Sequence, residues 1–147
     1  MSVFSKVFTP RDGAAWITGA SGGIGRATAL ALAAEGWTVW VTARSAADLE
    51  ALAAEATAGE IRPLPGDVTD AEAMEQAVAR ITAEGPLALA ILNAGIYKPM
   101  RAQSFDAAAA RATFDVNLTG VANSLAPAMR HMIERRDGHL AITASVA

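Results

Sequence analysis

The stretch Thr18-Gly19-Ala20-Ser21-Gly22-Gly23-Ile24-Gly25 places a cluster of glycines between two different patterns of apolar residues. The short run Ala14-Ala15-Trp16-Ile17 precedes it and predicts a buried strand, and apolar residues at helical spacing follow it. Glycines let the backbone turn tightly and approach a pyrophosphate closely, and the amino end of a helix presents N–H groups to that charge. The strand, turn and helix therefore predict a phosphate-binding turn; an ordinary tight turn is the alternative.

The rest of the chain alternates between strand-like and helix-like segments. Apolar and β-branched runs predict five strands, at residues 14–18, 37–43, 61–64, 87–92 and 139–143. Helical patterns between them predict four helices, at residues 24–35, 45–57, 69–83 and 105–135. Ser45 is placed to cap the second helix, and Thr69 with Glu72 has the spacing of a capping box for the third. Pro63 and Pro65 favour an edge position for the third strand.

This alternation predicts an α/β fold, a Rossmann-type doubly wound parallel sheet with helices on both faces. Right-handed crossovers and the usual winding give the strand order 3-2-1-4-5. The ligand crevice of such a sheet lies at the carboxyl ends of the first and fourth strands, where the order reverses. We expect residues 1–147 to form a single dinucleotide-binding domain, with residues 1–12 as a surface lead-in.

Composition restricts the classes of partner. The chain has 147 residues, a net charge of -3 and no cysteine. The charge gives no reason to expect nucleic acid or an anionic membrane surface, and the apolar runs fall short of the ~20 residues that span a bilayer. The lack of cysteine excludes disulfides and thiolate sites and fits a cytoplasmic location. His131 and His139 show no metal spacing, so we expect surface roles for both and no metal site.

Arg44 directly follows the second predicted strand. An acidic residue in this region would accept hydrogen bonds from the ribose hydroxyls of NAD, whereas an arginine can pair with the 2′-phosphate of NADP. Arg44 therefore favours NADP over NAD. A surface arginine is the alternative interpretation, and the glycine turn offers no second basic residue.

The glycine turn has the spacing Thr-Gly-x-x-x-Gly-x-Gly and resembles that of the short-chain dehydrogenase/reductase family. Four further motifs match the family in order along the chain: Asp67-Val68, Asn93-Ala94-Gly95, Asn117 and Ser145. Leu92 and Ala144 stand where the family has Asn and Ser. The resemblance covers nearly the whole chain but only the front part of the family's subunit. It implies hydride transfer between a nicotinamide and a carbonyl or alcohol substrate.

The resemblance also implies a role for each matched residue. Nine would surround the cofactor near its phosphates and nicotinamide: Thr18, Gly19, Ser21, Gly23, Ile24, Gly25, Asn93, Ala94 and Gly95. Asp67 would hydrogen-bond the adenine amino group, and Val68 would pack on the ring. Asn117 would hold a water in the proton-relay path, and Ser145 would hydrogen-bond the substrate oxygen. A helix start is the alternative role for Asp67.

The family transfers its proton through Tyr-x-x-x-Lys on the helix after the fifth strand, which the 147 residues do not reach. Tyr97 is the only tyrosine, and Pro99 lies between it and Arg101, so it starts no equivalent helical pair. We therefore expect a truncated chain, inactive alone and lacking the family's C-terminal strands and helices. An uncovered edge strand and uncovered apolar faces would make it marginally stable and prone to associate.

Three interpretations of function follow. The complete protein is an NADP-dependent oxidoreductase; or the chain is a catalytically inactive dinucleotide-binding or partner-binding module; or the fold serves other chemistry, such as that of an epimerase or dehydratase. The resemblance further implies a homo-oligomer through the 105–135 helix. Five apolar residues there could supply part of such a surface, or simply pack on their own sheet: Leu118, Val121, Leu125, Met129 and Met132.

Overall fold

A computed structural model describes residues 6–145. The strands are β1 (Ala14–Thr18), β2 (Thr38–Thr42), β3 (Glu60–Pro63), β4 (Leu87–Leu92) and β5 (His139–Ile142). The helices are α1 (Gly23–Ala34), α2 (Ala46–Ala53), α3 (Ala71–Glu84), α4 (Ala107–Phe114) and α5 (Gly120–Arg135). One turn of π-helix, Asp115–Thr119, joins α4 to α5.

The strands form one parallel sheet in the order β3-β2-β1-β4-β5. This confirms the predicted Rossmann-type architecture. Trp16 at the centre of β1 is level with Trp40 of β2 and Ala90 of β4. Because consecutive strands run in the same direction, the carboxyl ends of β1 and β4 lie side by side at the point where the order reverses.

The two faces of the sheet have separate apolar cores, since residues alternate in direction along each strand. Ile17 and Val39 face the core under α1 and α2, and Trp16 faces the core under α3 and α5. The buried Trp16 indole donates to Thr42 Oγ1 at 2.9 Å. That bond satisfies two polar groups inside the sheet and fixes the carboxyl end of β2.

Helix boundaries differ from the predictions in three places. The capping box at Thr69 is wrong: the Thr69 hydroxyl donates to Asp67 Oδ1 at 2.8 Å, so Asp70 caps α3 by accepting from the N–H of Ala73. The second helix ends at Ala53 rather than near residue 57. The helix predicted over 105–135 begins after the capping residue Asp106 and contains the π turn. Ser45 caps α2 as predicted.

The apolar residues of α5 divide between two faces. Val121, Leu125 and Met132 pack toward the sheet. For these three residues, the interpretation that they pack on their own sheet is confirmed. Leu118 and Met129 are exposed, together with Phe114 and Ile133. Exposed apolar side chains therefore remain on α4, the π turn and α5.

The described part of residues 1–12 lies against the amino end of β5. Lys6 pairs with Asp12 at 3.0 Å and with Asp137 at 2.6 Å, and Phe8 meets the ring of His139 edge-on. The hydrogen bond from the Thr9 N–H, reinforced by Lys6, lowers the pKa of Asp12 to about 2. Residues 1–5 lie outside the described residues.

His131 and Arg135 of α5 hold both polar backbone groups of Leu87 at the start of β4. The Leu87 N–H donates to His131 Nε2 at 3.3 Å, and Arg135 donates to the Leu87 carbonyl at 3.2 Å. The expected surface role for His131 is therefore wrong, because α5 carries it against the strand. Burial, and after it the charge of Arg135, lower the pKa of His131 below its ordinary 6.5.

We expect this contact to make stability depend on pH. With a lowered folded pKa the folded protein binds fewer protons than the unfolded chain, so the free energy of unfolding rises with pH in that window. The contribution is complete above pH 6.5 and is lost as pH falls through the lowered folded value. Urea unfolding between pH 7.5 and pH 5 should show the loss, and His131→Gln should reduce it while His139→Gln leaves it. An unchanged pH profile in His131→Gln would contradict the assignment.

Candidate functional site

The carboxyl ends of β1, β2, β4 and β5 open into one groove of about 1470 Å³. Its walls come from the glycine turn, the ends of the strands and the π turn. Small-molecule pockets usually enclose roughly 300–1,000 Å³. The groove therefore has room for an extended ligand and lies at the predicted reversal of strand order.

The glycine turn brings bare backbone to the groove. Gly19 has φ +69°, and a Cβ there would lie 2.6 Å from the Cα of Ala94. A Cβ on Gly25 would lie 2.4 Å from the Gly19 carbonyl oxygen. At Gly22 and Gly23 a Cβ would meet nothing within 4 Å. The turn is thus closely packed on its inner side and open on its outer side, as a backbone cradle for a phosphate requires.

A set of hydrogen bonds joins the glycine turn to the end of β4. Thr18 Oγ1 accepts from the N–H groups of Asn93 and Ala94 at 3.1 and 3.2 Å. The Asn93 side chain donates to the Gly19 carbonyl at 3.2 Å. The buried Thr18 and Gly25, both predicted to bind the cofactor, lie behind the groove surface and shape it. The other predicted cofactor residues line the groove.

Arg44 lies exposed at the edge of the groove just past β2, where Thr42 and Ala43 also line it. Asp67 lines the same end and accepts both the N–H and the hydroxyl of Thr69. The N–H bond, with a smaller contribution from the charge of Arg44, lowers the pKa of Asp67. Asp67 is therefore an ionised acceptor at neutral pH. Asp48, from the first turn of α2, is a second carboxylate at this end.

Asn117 lies in the π turn, and its side chain makes two hydrogen bonds to the backbone of one residue, Ile96. Its Oδ1 accepts from the Ile96 N–H at 2.8 Å, and its Nδ2 donates to the Ile96 carbonyl at 2.9 Å. Such π turns are frequent at functional sites. The side chain thus fixes the segment after β4 in the groove wall, and the water contact predicted for it stays a prediction.

Ser145 is exposed and lines the groove just past β5, next to Thr143 and Ala144. The Thr143 N–H donates to the Leu92 carbonyl at 3.0 Å, so pairing with β4 extends beyond the strand itself. Tyr97 borders the same groove with 83% of its surface exposed. The structure therefore brings Asn117, Ser145 and the glycine turn to one cavity.

The sequence analysis missed two residues that build this cavity. The Thr42 carbonyl accepts from the N–H groups of Gly19 and Ala20 at 2.8 and 3.3 Å, which anchors the glycine turn to β2. A Cβ on Gly120 would lie 2.5 Å from Val68 Cγ2, so this glycine lets α5 approach the groove wall. A glycine inside a helical pattern was the available signal for the second.

Within residues 6–145, no three His, Asp or Glu side chains form a group able to hold a metal ion. No helix there is both long and apolar enough to cross a bilayer.

Comparisons with known proteins agree with this geometry. The sequence profile of the short chain dehydrogenase family matches residues 13–147. The 2,3-dihydro-2,3-dihydroxybenzoate dehydrogenase of Bacillus subtilis is 34% identical over 136 residues, which cover 90% of this chain and 52% of that protein. The chain spans about half the length of this relative.

Solved structures give the same result. A short-chain type dehydrogenase/reductase from Mycobacterium marinum superposes with a TM-score of 0.88 at 34% identity, covering 99% of this chain and 60% of that one. An alcohol dehydrogenase from Thermococcus sibiricus, complexed with 5-hydroxy-NADP, gives 0.84 at 31% identity and covers 90% and 58%. The profile, the relatives and the fold agree, and the chain belongs to the short-chain dehydrogenase/reductase family of oxidoreductases.

Proposed function

We propose that the complete protein is an NADP-dependent oxidoreductase that transfers hydride between the nicotinamide and a carbonyl or alcohol carbon. The observation that carries the cofactor assignment is Arg44 at the groove edge, where β2 ends in Thr42 and Ala43 without a carboxylate. A guanidinium there suits a 2′-phosphate.

The glycine turn supports binding of the pyrophosphate. Gly22 and Gly23 leave their outer side open, and α1 begins at Gly23, which lines the groove. Asp67 and Val68 line the Arg44 end, which suits an adenosine. When bound, NADP supplies the hydride chemistry, and the protein positions it.

Ser145 and Asn117 belong to the opposite end of the groove. In this proposal the Ser145 hydroxyl hydrogen-bonds the substrate oxygen, and Asn117 keeps the Ile96 segment in place beside it. A serine hydroxyl cannot transfer protons alone near neutral pH, so a partner with a suitable pKa is needed. We infer that this partner lies outside the 147 residues and that residues 1–147 alone are inactive.

The exposed apolar side chains of Phe114, Leu118, Met129 and Ile133 support a homo-oligomer formed through α4 and α5. Exposed apolar surface commonly marks an association site. We further propose that the protein works in the cytoplasm, which is consistent with a chain that has no cysteine.

Replacing Arg44 tests the cofactor assignment. In Arg44→Gln we expect NADPH affinity to fall by about tenfold while NADH affinity stays within about twofold, since the lost bonds are charge-assisted but solvent-exposed. Fluorescence titration of NADPH and NADH at low and high salt measures both. Arg11→Gln removes the same charge at the amino end of β1, opposite the groove, and should change neither affinity.

Three experimental outcomes would count against the proposed cofactor or the proposed function. Equal losses for NADPH and NADH in Arg44→Gln would show that Arg44 does not discriminate the 2′-phosphate. NADPH binding by the complete protein without carbonyl-dependent oxidation, across a panel of ketones and aldehydes, would favour a binding module or other chemistry. Failure of the complete protein to bind either cofactor would overturn the proposal as a whole.

A further inference from the structure

Asn123 lies one turn into α5 and has no place in the sites described above. Its side chain donates from Nδ2 to the Val68 carbonyl at 3.0 Å, across 55 positions of sequence. Asn123 is half-buried, and Val68 is buried while still lining the groove. The bond therefore reaches from the helix to the backbone of the groove wall.

Two more contacts restrict the same wall residue. Gly120, three residues before Asn123, presents its bare Cα to Val68, because a Cβ would lie 2.5 Å from Cγ2. On the other side, the Asp67 carboxylate accepts the N–H and hydroxyl of Thr69 and fixes the turn around Val68. Within residues 6–145, the bond from Asn123 is the contact in which a side chain outside this segment holds the backbone of Val68.

The π turn and the first turn of α5 thus contact two walls of the groove. Asn117 in the π turn binds the backbone of Ile96, and Asn123 in α5 binds the backbone of Val68. One continuous helical segment therefore holds both walls.

We propose that Asn123 is a positioning residue for the adenine subsite, holding the Val68 backbone so that the Val68 side chain forms the surface on which the adenine ring packs. This inference rests on the proposed function, since it takes the ligand at that end to be an adenosine. Asn123 touches no ligand itself and acts through Val68.

Asn123→Leu keeps the size of the side chain and removes its donor. In the complete protein we expect affinity for 2′,5′-ADP, the adenine half of NADP, to fall by about fivefold. Affinity for reduced nicotinamide mononucleotide, the other half, should stay within about twofold, because Asn117 still holds its wall. With whole NADPH, KM should rise by the same factor while kcat is unchanged.

Ser124→Ala is the matched control. Ser124 is the next residue of α5, is buried, and its hydroxyl donates to the Gly120 carbonyl at 2.9 Å rather than to Val68. The Ser124→Ala substitution should lower the melting temperature and leave the affinities for 2′,5′-ADP and reduced nicotinamide mononucleotide unchanged. A loss of 2′,5′-ADP affinity in Ser124→Ala as large as in Asn123→Leu would reduce Asn123 to a general structural role and overturn the proposal.

A double-mutant cycle with Val68→Ala adds a test independent of overall stability. If Asn123 acts through Val68, then Asn123→Leu should cost much less 2′,5′-ADP affinity when Val68 is already alanine. Additive losses would contradict the inference. If the unmodified protein binds no 2′,5′-ADP, the proposed function itself fails, which these variants distinguish from failure of Asn123 alone.

Discussion

Gly19→Ala is expected to destabilise the protein by at least about 3 kcal/mol and to abolish cofactor binding. Gly19 has φ +69°, a conformation that side chains rarely adopt. The added methyl would also lie 2.6 Å from the Cα and 2.9 Å from the N of Ala94, and both are backbone atoms that cannot move aside alone. Relief requires separating β1 from β4, which opens the floor of the groove.

Gly22→Ala is the matched control for this prediction. Gly22 lies three residues away in the same turn, has an extended φ of -165°, and has nothing within 4 Å of its Cβ position. Its unfolding free energy should change by less than about 1 kcal/mol, the usual difference between these residues at a helix start. Urea denaturation of both variants measures the contrast. Equal destabilisation would show that the turn does not require the Gly19 conformation.

Ser145→Ala is expected to lower kcat by about 100-fold or more, because a hydrogen-bond donor to the reacting oxygen is typically worth that much. Ser145 lines the groove just past β5, whereas the glycine turn, which we propose binds the cofactor, follows β1. NADPH affinity should therefore stay within about twofold, which separates a catalytic role from a binding role. Steady-state kinetics and a binding titration on the complete protein measure the two quantities.

Two further variants sharpen the Ser145 test. Ser145→Thr keeps the hydroxyl and should retain much more activity than Ser145→Ala. Ser104→Ala removes a hydroxyl from the short helical turn Ala102–Ser104, outside the groove lining, and should match the unmodified protein. A kcat for Ser145→Ala close to that of the unmodified protein would remove Ser145 from the catalytic set.

The residues that matched the family motif form two groups, those whose contacts explain their presence and those for which the structure gives only a location. Gly19, Asn93 and Asn117 make contacts that explain why their side chains, or lack of one, are needed at those positions. For Arg44 and Ser145 the structure gives location at the groove, and their chemistry depends on a bound ligand. Arg44→Gln and Ser145→Ala test that second group.

Predictions from local sequence were wrong where two nearby groups compete for the same hydrogen bond. Thr69 has the spacing of a helix cap, but the Asp67 carboxylate takes its hydroxyl, and Asp70 caps α3 instead. His131 was predicted to have a surface role because nothing in the sequence shows that its imidazole lies within reach of the Leu87 N–H. Such outcomes depend on which groups meet in space.

The sequence by itself determined the strand order and the location of the groove. Alternating strands and helices, with right-handed crossovers, leave few ways to wind the sheet, and the winding fixes where its order reverses. Only the tertiary structure decided that Thr18 lies behind the groove, that Asn117 holds Ile96 and that Asn123 reaches Val68. These contacts join residues far apart in sequence, and hydrogen-bond geometry selects them within ångströms, a precision that spacing and propensity do not carry.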